Sequence, residues 1–100
     1  MKSLDQEIVE LIQSEIKHSM YYVEFPDDVP YGLWKDGAGE LHYVSEMSLD
    51  HLKASIRMVE RDIKRLKQSH LPEEVIDVLA PKAASVLGRL RTEFKKKTQL

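Results

Sequence analysis

The segment SLDHLKASIRMVERDIKRLKQ, Ser48 to Gln68, decides the fold. Leu49, Leu52, Ile56, Val59, Ile63 and Leu66 recur in it at steps of three, four, three, four and three, the spacing that lines one face of an α-helix. Ser48 supplies an N-cap oxygen at its start. The seam is too short to require a free-standing coiled coil. Packing against the chain's own helices explains it as well, and its strict spacing keeps a homodimer as the alternative.

Downstream, His70-Leu71-Pro72 breaks the helix, and Pro72, Glu73 and Glu74 suit the first turn of the next. Val75, Leu79, Ala83, Val86, Leu87, Leu90 and Phe94 carry its apolar face. Pro81 is expected to kink this helix or split it in two. The short connection near residue 70 predicts an antiparallel helical hairpin.

Upstream, Leu33-Trp34-Lys35 and Leu41-His42-Tyr43-Val44 flank Asp36-Gly37-Ala38-Gly39-Glu40, two short apolar segments around a glycine-containing turn. That pattern predicts a β-hairpin. Pro26-Asp27-Asp28-Val29-Pro30 is a loop. Residues 3–20 read as a first helix on Leu4, Ile8, Leu11, Ile12 and Ile16, with Ser3 as its cap. The run Met20 to Phe25 either extends that helix or starts a strand. The expected fold is α+β and mainly helical, one domain over residues 1–100: N-terminal helix, short hairpin, then a helical hairpin with a proline kink near residue 81.

Composition bounds the chemistry. The chain has 100 residues and no cysteine, which excludes disulfides and thiolate metal sites and agrees with a cytoplasmic setting. No apolar run reaches the roughly 20 residues that span a bilayer, and the acids among the N-terminal apolar residues do not fit a secretory signal. The net charge of −2 hides an asymmetry. Residues 1–50 hold three Lys against eleven Asp and Glu, a balance of −8; residues 51–100 hold twelve Lys and Arg against six acids, a balance of +6. Either the two halves pair with each other or between subunits, or the basic half faces nucleic acid.

The basic residues that would do so are Lys53, Arg57, Arg61 and Arg65, every fourth residue of the central helix, and Arg89, Arg91, Lys95, Lys96 and Lys97 near the C-terminus. Like charges four apart repel by a few tenths of a kcal/mol, so a partner for the row is expected: Glu60, Asp62, the acidic first helix, another protein or phosphates. Trp34, Tyr43 and His51 are the candidates for protein binding, Trp34 being either a core anchor or part of an exposed aromatic surface. No two of His18, His42, His51 and His70 are three or four apart, so no metal site is expected. Asp27 and Asp28 read as a solvated turn, and Gly37 and Gly39 as turn glycines rather than a phosphate cradle. No cofactor and no catalytic motif is expected.

Trp34, Asp36-Gly37, Met47, His51-Leu52, Ile56 and Arg61 together resemble a pattern in small uncharacterised proteins of phages and prophages. Those proteins show a tryptophan, a glycine turn, a short strand, a methionine, a His-Leu or His-Ile pair and a helix with periodic Ile and Arg. They often carry Asn just after the pair, where this chain has Lys53 and Ala54. The resemblance implies a hairpin packed on a helix start and a phage or mobile-element origin, and it supplies no catalytic residue. The function expected is therefore a small non-enzymatic interaction or regulatory protein that binds a protein partner through helical or hairpin surfaces. The alternative is a nucleic-acid-binding regulator using the basic row and tail.

Overall fold

A computed structural model describes residues 5–99. In chain order it contains α1 (Gln6–His18), β1 (Leu33–Lys35), β2 (Leu41–Tyr43), a 3-10 turn (Val44–Glu46), α2 (Leu49–Lys67) and α3 (Glu73–Thr98). The architecture is the mainly helical α+β arrangement expected. One continuous cluster of buried side chains joins all three helices and the hairpin.

The carboxylate of Asp5 caps α1 by accepting the Glu7 amide at 3.0 Å; the expected cap Ser3, like Leu4, lies outside the described residues. Ile8, Ile12 and Ile16 form its buried stripe. The helix stops at His18, where the amides of Ser19 and Met20 both donate to the Glu15 carbonyl. Met20 to Phe25 then forms neither more helix nor a strand. It is a chain of turns that buries Met20, Tyr22 and Val23 together. A strand would send Tyr22 to the face opposite Val23; turns let both reach the core.

β1 and β2 pair antiparallel with Leu33 opposite Tyr43, Trp34 opposite His42 and Lys35 opposite Leu41. Gly39 closes the turn at φ 87°, a left-handed conformation that side-chain-bearing residues avoid. The Ser48 hydroxyl caps α2 as expected, accepting the His51 amide at 3.2 Å.

The inward row of α2 differs from the apolar seam. It is Leu52, Ser55, Val59, Asp62 and Leu66, while Ile56 and Ile63 lie partly buried at its edge and Leu49 is exposed. Two neighbours share the helix. α3 packs antiparallel along the Ile63 side, where Ile63 and Lys67 line a cleft with Ile76 and Ala80. The segment after α1 presses on the other side, where Tyr22 reaches Asp62.

The helix from Glu73 to Thr98 is unbroken through Pro81, so the expected split does not occur. Pro81 lacks an N–H and leaves the Asp77 carbonyl without its helical donor. Both residues are exposed, on the solvent side of the helix. Val75, Leu79, Ala83, Leu87 and Leu90 are buried on either side and hold the two halves to one core. At about 1.5–3 kcal/mol per large buried side chain, they outweigh the proline's cost of about 3 kcal/mol. Pro81→Ala restores the missing bond. It is expected to raise unfolding stability by about 1–3 kcal/mol, read as a higher urea midpoint with an unchanged slope.

Candidate functional site

The hairpin is seated on α2 by an aromatic cluster. The Tyr22 and Trp34 rings stack with centroids 5.3 Å apart and planes 10° apart. Tyr21 meets both rings edge-on, at 5.6 and 6.4 Å. The His51 ring stands edge-on to Trp34 at 6.5 Å. The Tyr22 hydroxyl donates to Asp62 Oδ2 at 2.7 Å, and Arg65 Nε lies 4.0 Å from Oδ1. Burial, and then the bond to Asp62, push the Tyr22 phenol well above its usual range. Trp34 is 3% exposed. It is a core anchor and cannot touch a partner directly, which removes it from the candidate binding residues.

The surface of the hairpin mixes exposed apolar and polar side chains. Among the described residues, the exposed large hydrophobic side chains are Tyr31, Leu41, Tyr43 and Leu49, all within the hairpin segment and the start of α2. Tyr43 is 62% exposed and lines two clefts. On one side is a cleft of about 280 Å³ with Leu41, Glu46 and His51. On the other is one of about 240 Å³ with Tyr31, Arg89, Thr92 and Lys96. Sequence reasoning found Tyr43 and His51 but passed over Leu41. All three residues of β2 are exposed, so no alternation along that strand marks Leu41.

The basic residues separate into engaged and free groups. Arg65 donates to Glu15 of α1 at 3.2 Å. Arg91 pairs with Glu60 across the helical hairpin. Arg89 donates to the Val29 carbonyl at 3.2 Å and lies 5.0 Å above the Tyr31 ring. These three candidates are spent on the fold. Lys53, Arg57, Arg61, Lys95 and Lys96 are exposed, and among the described residues none of them, nor Lys97, forms an ion pair. Lys53, Arg57 and Arg61 project from the side of α2 away from Leu52, Val59 and Leu66.

Of the two loop acids, Asp28 is not simply solvated. Lys82 Nζ donates to Asp28 Oδ1 at 2.7 Å and to the carbonyls of Pro26 and Asp27 at 3.1 Å each. That hydrogen bond and the ammonium charge hold the Asp28 carboxyl below its usual range. On the hairpin, His42 Nε2 lies 2.6 Å from Asp36 Oδ2, and this bond, with support from the Glu40 amide, holds the Asp36 carboxyl low. The carboxylate of Glu40 joins them: donor atoms of Asp36, Glu40 and His42 all lie within 4.8 Å of one another. Helical spacing of histidines could not reveal this group, because hairpin pairing brings it together.

The chain shows no significant match to any protein-family model, curated protein or solved structure.

Tyr22→Phe leaves a buried carboxylate without its hydroxyl donor. It is expected to destabilise the fold by about 1–3 kcal/mol, read from chemical denaturation. The pH dependence has a definite sign. Asp28 is more acidic in the folded chain than in the unfolded one, so its contribution is complete above about pH 4 and is lost as the pH falls through its lower native value. Urea midpoints of Asp28→Asn and the parent chain should therefore differ at neutral pH and converge on acidification.

Proposed function

We propose that the chain is a small non-enzymatic interaction protein that docks a protein partner on the outer face of its hairpin, with Leu41, Tyr43 and His51 as the contact residues. The confinement, among the described residues, of the exposed large hydrophobic side chains to Tyr31–Leu49 carries this reading. Isolated exposed apolar residues are ordinary, but a group of them beside clefts is the mark of a contact surface. Tyr43 stands between two such clefts, and a tyrosine offers large contact area at little entropy cost. The buried Trp34–Tyr22 stack below holds β1, the strand paired with the one that presents it. A second copy of the chain is one such partner. The resemblance of the Trp34–Arg61 pattern to small phage and prophage proteins supports a mobile-element origin, and the absence of cysteine agrees with action in the cytoplasm.

A second reading rests on a separate observation: Lys53, Arg57 and Arg61 share the solvent side of α2 with no ion pair among the described residues. Nucleic-acid phosphates would satisfy such a row. No helix among the described residues is long and apolar enough to cross a membrane.

One experiment separates the readings. The parent chain, a Leu41→Ser/Tyr43→Ser variant and a Lys53→Gln/Arg57→Gln/Arg61→Gln variant are used as baits in host lysate, and each is titrated with DNA and RNA at low salt. A protein retained by the parent and the basic-row variant but lost by the hairpin variant is the expected result. Salt-sensitive nucleic-acid binding lost only in the basic-row variant would replace the first reading with the second. Solution mass, compared between the parent and the hairpin variant, identifies a self-partner.

A further inference from the structure

The hairpin turn carries a second arrangement, which shares His42 with the cleft beside Tyr43. Asp36 follows β1, Glu40 precedes β2, and His42 is the middle residue of β2. Closing the turn brings one imidazole nitrogen and two carboxylate oxygens together within 4.8 Å. The backbone fixes the first of these donors. Asp36 Oδ1 accepts the amides of Ala38 and Glu40, both at 2.9 Å, which leaves Oδ2 directed at His42. The Asp36 amide in turn donates to the Glu40 carbonyl at 2.9 Å. His42 is held in register by its cross-strand partner Trp34, which is locked in the core. Asp36 and His42 are thus pre-placed, and binding needs to order only the exposed Glu40 side chain. The His42 side chain is 45% exposed and that of Asp36 29%, so the group opens to solvent.

We propose that Asp36, Glu40 and His42 form a three-ligand site for a divalent transition-metal ion of the Zn²⁺ type, with water completing its coordination. The donor set selects this class. An imidazole nitrogen favours Zn²⁺, Ni²⁺ or Cu²⁺, whereas Mg²⁺ and Ca²⁺ prefer oxygens alone and more of them. The two carboxylates balance the ion's charge. Asp36 Oδ2 and His42 Nε2 are 2.6 Å apart as a hydrogen-bonded pair; as neighbouring ligands of a tetrahedral ion they would sit on the order of 3.3 Å apart, a shift one side-chain rotation supplies. The bound ion would clip the turn and stiffen the strand that carries Leu41 and Tyr43. The site itself stands on the turn's geometry and is independent of what those residues contact.

Trp34, the one tryptophan of the chain, sits opposite His42 and reports on the site. Ni²⁺ is titrated against its fluorescence, with Zn²⁺ as competitor. Because His51 also lies beside Trp34, at 6.5 Å between rings, His51→Ala is the control. The expected result is saturable one-to-one quenching reversed by Zn²⁺, a higher melting temperature with Zn²⁺, and affinity weakened about tenfold or more by His42→Ala. Glu40→Gln, which keeps the backbone bonds of the turn, should weaken binding several-fold without changing the metal-free melting temperature. His51→Ala should leave affinity unchanged. Absence of quenching at millimolar Ni²⁺ would reduce the group to a hydrogen-bonded pair and overturn the proposal. Quenching that survives both His42→Ala and Glu40→Gln, or that disappears in His51→Ala, would overturn it equally.

Discussion

The bond from the Tyr22 hydroxyl to Asp62 Oδ2 is the constraint on which the rest of the structure depends. Asp62 is 6% exposed on the inward row of α2. A carboxylate removed from water costs several kcal/mol unless other groups replace its hydration. Tyr22 supplies a hydroxyl and Arg65 a nearby charge. The same Tyr22 ring lies flat on Trp34, so the segment after α1, the hairpin and α2 converge on one side chain. An apolar residue at position 62 would bury more cheaply but would not select this placement of Tyr22.

A second set of contacts works from α3. Lys82 and Arg89, two turns apart on one face, reach over the loop between α1 and β1. Lys82 gathers the carbonyls of Pro26 and Asp27 with the Asp28 carboxylate, and Arg89 takes the Val29 carbonyl. The loop's prolines deprive it of backbone donors, so side chains of the helix satisfy its carbonyls instead. The acidic and basic halves therefore pair partly with each other, through Glu15 with Arg65 and Asp28 with Lys82. Exposed pairs of this kind contribute about 0–1 kcal/mol each, so they orient elements more than they stabilise them. The positive charge left over lies on the outer side of α2 and in the last turn of α3.

Local rules made most elements legible. Ser48 before an apolar three-and-four spacing, Pro72 followed by two acids, and a glycine turn between short apolar runs each act within a few residues. The structure reproduces all three. The turns from Met20 to Phe25 were not legible, because aromatic and β-branched residues suit any buried segment. The split allowed for at Pro81 does not occur for a related reason: the penalty of a proline is local, while the burial that overrides it is distributed along the whole of α3.

The sequence by itself determined the helices, their order and the hairpin, since periodicity, caps and breakers are written in neighbouring residues. Tertiary structure alone decided which side of α2 faces inward, that Trp34 is a core anchor while Tyr43 is presented, and that Arg65, Arg89 and Arg91 serve the fold. It also decided that Asp36, Glu40 and His42 meet. Those outcomes depend on which segments compete for the same volume and which polar groups must find partners once water is excluded, and no spacing along the chain records either.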